Sequence, residues 1–134
     1  MKKAQMHIGL LLLRLSLGVS MLFHGIAKIE RGVGGIKKML ASHELPEFLA
    51  YLVFIGEILA PLMLIAGYRT RIAAILFAIT MVVAAWLGHP DEILSLGKNG
   101  EWAIEVIGLF FFGALALLFT GAGKYAVSTR SKWD

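Results

Sequence analysis

Twenty residues from Phe48 to Gly67, FLAYLVFIGEILAPLMLIAG, contain a single ionisable side chain, Glu57. A helix of that length, rising about 1.5 Å per residue, reaches across the hydrocarbon core of a bilayer. Glu57 then falls near the middle of the slab. Four residues on comes Pro61, which lacks a backbone N–H and so removes the helical donor to the carbonyl of residue 57. Lipid satisfies neither a carboxylate nor a free carbonyl, so both must turn toward other helices or a wet cavity. The rest of the chain has to supply that surrounding.

It has the material to do so. Apolar stretches run over about 8–29, 48–67, 72–88 and 103–122, and they leave little sequence for anything else. With 58% hydrophobic and 16% charged residues, the 134-residue chain lies outside the range of soluble domains. It reads as one transmembrane domain, an all-α, integral membrane four-helix bundle. Between the first two spans, Gly32, Gly34 and Gly35 break the helix. Ile36, Met39 and Leu40 then recur at helical spacing opposite Lys37 and Lys38, which predicts a short interfacial helix in the first outer loop.

The net charge of +4 is a matter of topology. Threading four spans puts Lys2, Lys3, Arg69, Arg71, Lys124, Arg130 and Lys132 on one side, with Asp134 as its only acid. Arg31, Lys37, Lys38 and Lys98 fall on the other side, among six acids. By the positive-inside rule both termini are cytoplasmic, in a multi-pass protein of the cell (inner) membrane. No basic patch with interleaved aromatics supports nucleic-acid binding. The N-terminal Lys-Lys resembles a signal peptide, but Arg14 interrupts the apolar run and no small-x-small cleavage site follows, so an uncleaved first helix is expected. Without cysteine, the chain cannot run dithiol chemistry or hold an iron–sulfur cluster through thiolates.

On the first span, Arg14, His24 and Lys28 share one face with Met21, and Gly18 and Gly25 lie near the same stripe, where they would allow close backbone approach. Counted from the ends of the apolar runs, Arg14 lies roughly 9 Å in from the inner edge and Glu57 roughly 15 Å in from the outer one. In a core about 30 Å thick this predicts an Arg14–Glu57 pair at mid-membrane. His24, Lys28, His89 and Glu105 sort into an outer-facing polar group, with Lys28 free to snorkel to water. The mid-membrane pair has two readings, a clamp between helices or a clamp that also lines a functional cavity. Two unpaired histidines, His24 and His89, are weak grounds for a haem site, and a metal is no better supported.

The run LLLRLSLGVSMLFHGIAKI resembles the opening of the DoxX family: an Arg, a Gly-bearing stretch, His-Gly and a Lys. GEILAPLMLIAGYRTRIAA resembles its second signature, a Glu in helix two, a Gly at its end and a Thr-Arg turn. His89 and the closing TGAGKYAVS follow the later pattern, with Ala122 where a proline is usual. The resemblance covers nearly the whole chain. It implies a four-helix membrane protein similar to membrane subunits of redox assemblies, among them a quinone-linked thiosulfate-oxidising enzyme.

Two functions from different classes follow. One is a small subunit of a redox complex that binds quinone or another lipid-soluble ligand beside Arg14, Glu57 and Pro61, with His24 and Glu105 leading outward. Electrons would reach it from a partner, since it has no cysteine and no obvious cofactor ligand. The other is a non-catalytic scaffold or partner-recruiting module whose polar core only fixes helix packing. The expected partners are the lipid bilayer and either other subunits of a membrane complex or further copies of this chain.

Overall fold

The computed structural model describes residues 2–134, and every regular element among them is helical. α1 runs from Lys2 to Arg31, thirty residues without a proline, and Gly32 ends it at φ +81°. The short loop helix is present as α2, Gly34–Ser42. Its Leu40 joins Val33 and Ala50 in a small core backed by Leu49, Val53 and Leu87.

The second apolar stretch is one helical rod wound in three ways. It begins as a 3-10 helix, Glu47–Leu52, behind the extended Pro46. It passes through a π turn, Ile55–Leu59, and finishes as α3, Ala60–Ala66. Gly67 then adopts the left-handed conformation (φ +72°) that closes a helix end, with Tyr68 N–H donating to Met63 O and Gly67 N–H to Leu64 O. α4 spans Thr70–Gly88 and stops before Pro90; α5 spans Glu105–Thr120 and stops at Gly121. Three of these helical rods, 2–31, 47–66 and 70–88, are long and apolar enough to cross a membrane. The fourth is apolar but counts sixteen residues. It is shorter than the 103–122 stretch because residues 101–104 form a turn in which Glu105 N–H returns to Trp102 O.

α4 packs along α5 and α3, while α1 packs mainly along α3 and more lightly on α5. Their shared core mixes small and large side chains: Ala60, Ala73, Ala74 and Ala114 against Leu17, Leu64, Phe77 and Leu117. Small residues let the backbones approach, and in an apolar solvent such dispersion contacts replace the hydrophobic drive. Gly18 and Gly25 mark this approach, as the first helix predicts. A Cβ on Gly18 would meet Pro61 O at 2.9 Å, and one on Gly25 would run into the Glu57 carbonyl.

The last thirteen residues, 122–134, are a structural element. They fold back over the α3–α4 turn, where Val127 N–H donates to Ala66 O and Ser128 N–H to Gly67 O. Arg71 N–H, in the first turn of α4, donates to Trp133 O. Backbone groups left over at two helix ends thus find partners in the tail.

Candidate functional site

Glu57 sits on the π turn, where the chain carries one more residue per turn than an α-helix allows. The Ala60 N–H reaches back five residues to Ile55 O. Turns of this kind are rare and concentrate at functional sites. Pro61 ends the turn by withholding its N–H, and Gly56 lets the widened backbone lie against Thr80 of α4, where any Cβ would collide. Glu57 is thereby held at 6% exposure, facing α1.

Its partner is Lys28, whose Nζ lies 2.5 Å from Glu57 Oε2. Arg14 does not meet Glu57. Its Nε donates to Leu64 O (2.8 Å), its Nη2 to Ile65 O (3.1 Å), and its Nη1 to Ala122 O (2.8 Å) and Tyr125 O (2.7 Å). The expected Arg14–Glu57 pair is therefore corrected to a Lys28–Glu57 pair and a separate knot of carbonyls around Arg14. The reason is register. The glycine contacts set Gly25, not Arg14, level with Glu57, and eleven residues of α1 separate the two by about 16 Å. Depth counted from the ends of apolar runs carries no information about that sliding. A cation is also well placed at the carbonyl end of α3, where the helix dipole is negative.

Above the ion pair, between the end of α1, α2 and the 3-10 segment, opens a cleft of about 530 Å³. Lys28, Val33, Lys37, Tyr51 and Phe54 line it. Lys28 is 28% exposed and belongs to both places, with its ammonium on Glu57 and its flank on the cleft. Lys37 Nζ stands 4.9 Å from the centre of the Tyr51 ring. Interaction with Tyr51, then the charge of Glu47, raises the Lys37 pKa above the ordinary lysine value, so it is a firm cation at neutral pH. Two ammonium groups on mostly apolar walls suit a ligand with an apolar body and hydrogen-bond-accepting oxygens.

The remaining predicted residues do not join this site. Pro61 is fully buried and shapes the turn from behind; it lines no part of the cleft, contrary to the expected pocket beside it. His24 is exposed, with its ring edge-on to Phe110 at 6.3 Å. His89 Nδ1 lies 3.3 Å from Glu92 Oε1, and Glu105 is exposed in the first turn of α5. The outer group expected from depth alone, Lys28 included, thus divides among four local settings, because equal height does not bring side chains onto facing surfaces. Tyr51 and Phe54, and Lys37 beyond its place on the loop helix, carry no mark in the sequence as site residues. The one signal for them was that α2 follows α1 after so few residues that it must fold over the start of the second span.

The DoxX family model matches residues 9–90, from α1 through α4, and so includes Arg14, Lys28, Lys37 and Glu57. A protein of Bacillus subtilis (strain 168) named "Putative oxidoreductase CatD" is 36% identical over 77 residues, 58% of this chain and 57% of that protein. The match therefore spans little more than half of that relative's length. No solved structure matches the chain.

Proposed function

Because this chain belongs to the DoxX family of membrane proteins, we propose that it is a small membrane subunit of a redox complex that binds a quinone-type headgroup in the Lys28 cleft. In this reading the four apolar helices form a four-span bundle of the inner membrane with both termini cytoplasmic. The name of its Bacillus relative supports redox work for that protein and is consistent with it here. The observation that carries the reading is the buried Glu57 on a π turn, joined through Lys28 to an open apolar cleft. The cleft's volume lies within the range of small-molecule sites, and its ammonium groups fit carbonyl oxygens.

A quinone takes up two electrons and two protons when reduced. The electrons come from a partner subunit, as the chain has no cysteine to carry them. Its own residues would do the rest. Tyr51 and Phe54 hold the ring, Lys37 orients one carbonyl, and Lys28 donates a hydrogen bond to the other. As the two electrons arrive, the Lys28 and Lys37 ammonium groups each pass one proton to the carbonyl oxygen they face, and each is recharged from water at the open side of the cleft. Glu57, 6% exposed behind Lys28, accepts its hydrogen bond and holds the amine in place.

Lipid extracts of the purified protein test this. Wild type should retain about one quinone per chain, and Lys28→Met should reduce retention roughly tenfold, the worth of one charge-assisted hydrogen bond. Wild-type quinone content in both Lys28→Met and Glu57→Gln would dispose of the reading. One observation favours the scaffold alternative: Lys28 and Glu57 satisfy each other, and Arg14 finds four carbonyls, with no ligand needed. That alternative predicts stable variants of the cleft residues Lys37 and Tyr51 that alter neither ligand content nor activity of the complex.

A further inference from the structure

A second cavity, about 240 Å³, opens at the opposite end of the fold, between the start of α4, the end of α5 and the returning tail. Arg71, Thr120, Gly121, Thr129, Ser131 and Lys132 line it, and Asp134 stands at its wall. The Asp134 carboxylate is already engaged. It accepts from the Ser128 hydroxyl (2.6 Å), Ser131 N–H (2.7 Å) and Arg69 N–H (3.3 Å), with Arg69 Nη1 at 3.7 Å.

Among the described residues, the two other cations of the cavity, Arg71 and Lys132, form no ion pair. Arg71 is half-buried, and its Nε stands 3.6 Å from where a Cβ on Gly121 would be. Gly121, at φ +76° and without a side chain, makes room there for the Asp134 main-chain oxygen, 2.8 Å from the same point, beside the guanidinium that lines the cavity. Lys132 Nζ lies 5.3 Å from the Trp133 ring. A planar fork of donors, an ammonium group and the hydroxyls of Thr129 and Ser131 complement a tetrahedral oxyanion. The surroundings say which one. Phe119 and Trp133, chain neighbours of the lining residues Thr120 and Lys132, are exposed, as lipid chains beside a headgroup would require.

We propose that this cavity binds the phosphate of an anionic phospholipid. Basic pockets between helix ends at a membrane surface are suited to such headgroups, and each cation there is worth about a fivefold gain in affinity. The site is independent of the Lys28 cleft and uses none of its residues.

Thermal melting of the full chain in neutral detergent, titrated with phosphatidylglycerol and separately with phosphatidylcholine, tests the assignment. The melting temperature should rise saturably with phosphatidylglycerol only. Arg71→Lys keeps the charge but loses the fork, and Lys132→Gln loses the charge. Each should raise the half-saturating concentration about fivefold. Arg130→Gln, an equal loss of charge outside the cavity, should change it less than twofold. If Arg71→Lys and Lys132→Gln both behave like Arg130→Gln, the effect is a diffuse field and the site is refuted. A rise of equal size with millimolar inorganic phosphate would refute the lipid assignment in favour of a free-phosphate site. If Arg71→Lys proves too unstable to titrate, Lys132→Gln against Arg130→Gln decides alone.

Discussion

Arg14 shows how much one side chain can hold together. Among the described residues it has no acidic partner, yet its guanidinium joins α1 to the end of α3 and to the tail through four carbonyl oxygens. A lysine has a single ammonium and cannot span those directions, so Arg14→Lys should cost about 2–3 kcal/mol despite the conserved charge. Melting in detergent measures it, and a change within error would mean the carbonyl knot is not stabilising. The Lys28–Glu57 pair obeys a different logic. Removing one partner strands the other in apolar surroundings, so Lys28→Met or Glu57→Gln alone should lower stability by about 1–3 kcal/mol. The double variant should recover part of that loss. Simple additivity would show that the two side chains do not interact in the working protein.

Among the elements, the π turn is the most exacting. It exists because Gly56 can lie against Thr80 and because Pro61 withholds a donor, so local composition and tertiary contact have to agree. Gly56→Ala should destabilise by about 1–3 kcal/mol through overpacking, and Thr80→Ala should relieve part of it. The tail is the second element that depends on particular contacts. The Ser128 hydroxyl first, then Ser131 N–H and the charge of Arg69, hold the Asp134 carboxyl below its ordinary value of 3.8. A carboxyl lowered on folding stabilises fully above the unfolded value and loses that contribution as pH falls through the folded one. The melting difference between wild type and Asp134→Asn should therefore stay flat from pH 7 to about pH 4 and shrink only below that. A difference that already fades between pH 7 and 5 would place another group in control of the tail.

At the scale of the whole molecule, the outer surface is that of a protein solvated by lipid. Phe23, Leu109, Phe112 and Phe119 are each more than half exposed along helices with few charges. The proposed topology has a direct test, since the chain has no cysteine of its own. In the proposed topology Ser42→Cys and Leu94→Cys lie in the two outer connections, and Leu94 is 98% exposed. Both should react with an impermeant thiol reagent in intact cells, while Thr129→Cys in the tail should react only after lysis. Reaction of Thr129→Cys alone would invert the orientation.

The amino-acid order by itself determined the helical class, the apolar stretches, the breaks at Gly32 and Gly67, the loop helix, and the glycines at which α1 touches the second apolar stretch. These follow from hydrophobic length and backbone freedom, which are local properties. It also singled out Arg14, Lys28 and Glu57, since an ionisable group in an apolar run is conspicuous wherever it points. Only the tertiary structure decided who meets whom. Two helices of matching depth can slide by several turns with little change in burial, so the exchange of Arg14 for Lys28 as the partner of Glu57 rested on two glycine contacts. The fold-back of residues 122–134 was hidden for the same reason. Its hydrogen bonds join backbone groups far apart in the chain, and a backbone amide carries no mark in the sequence of the carbonyl it will find.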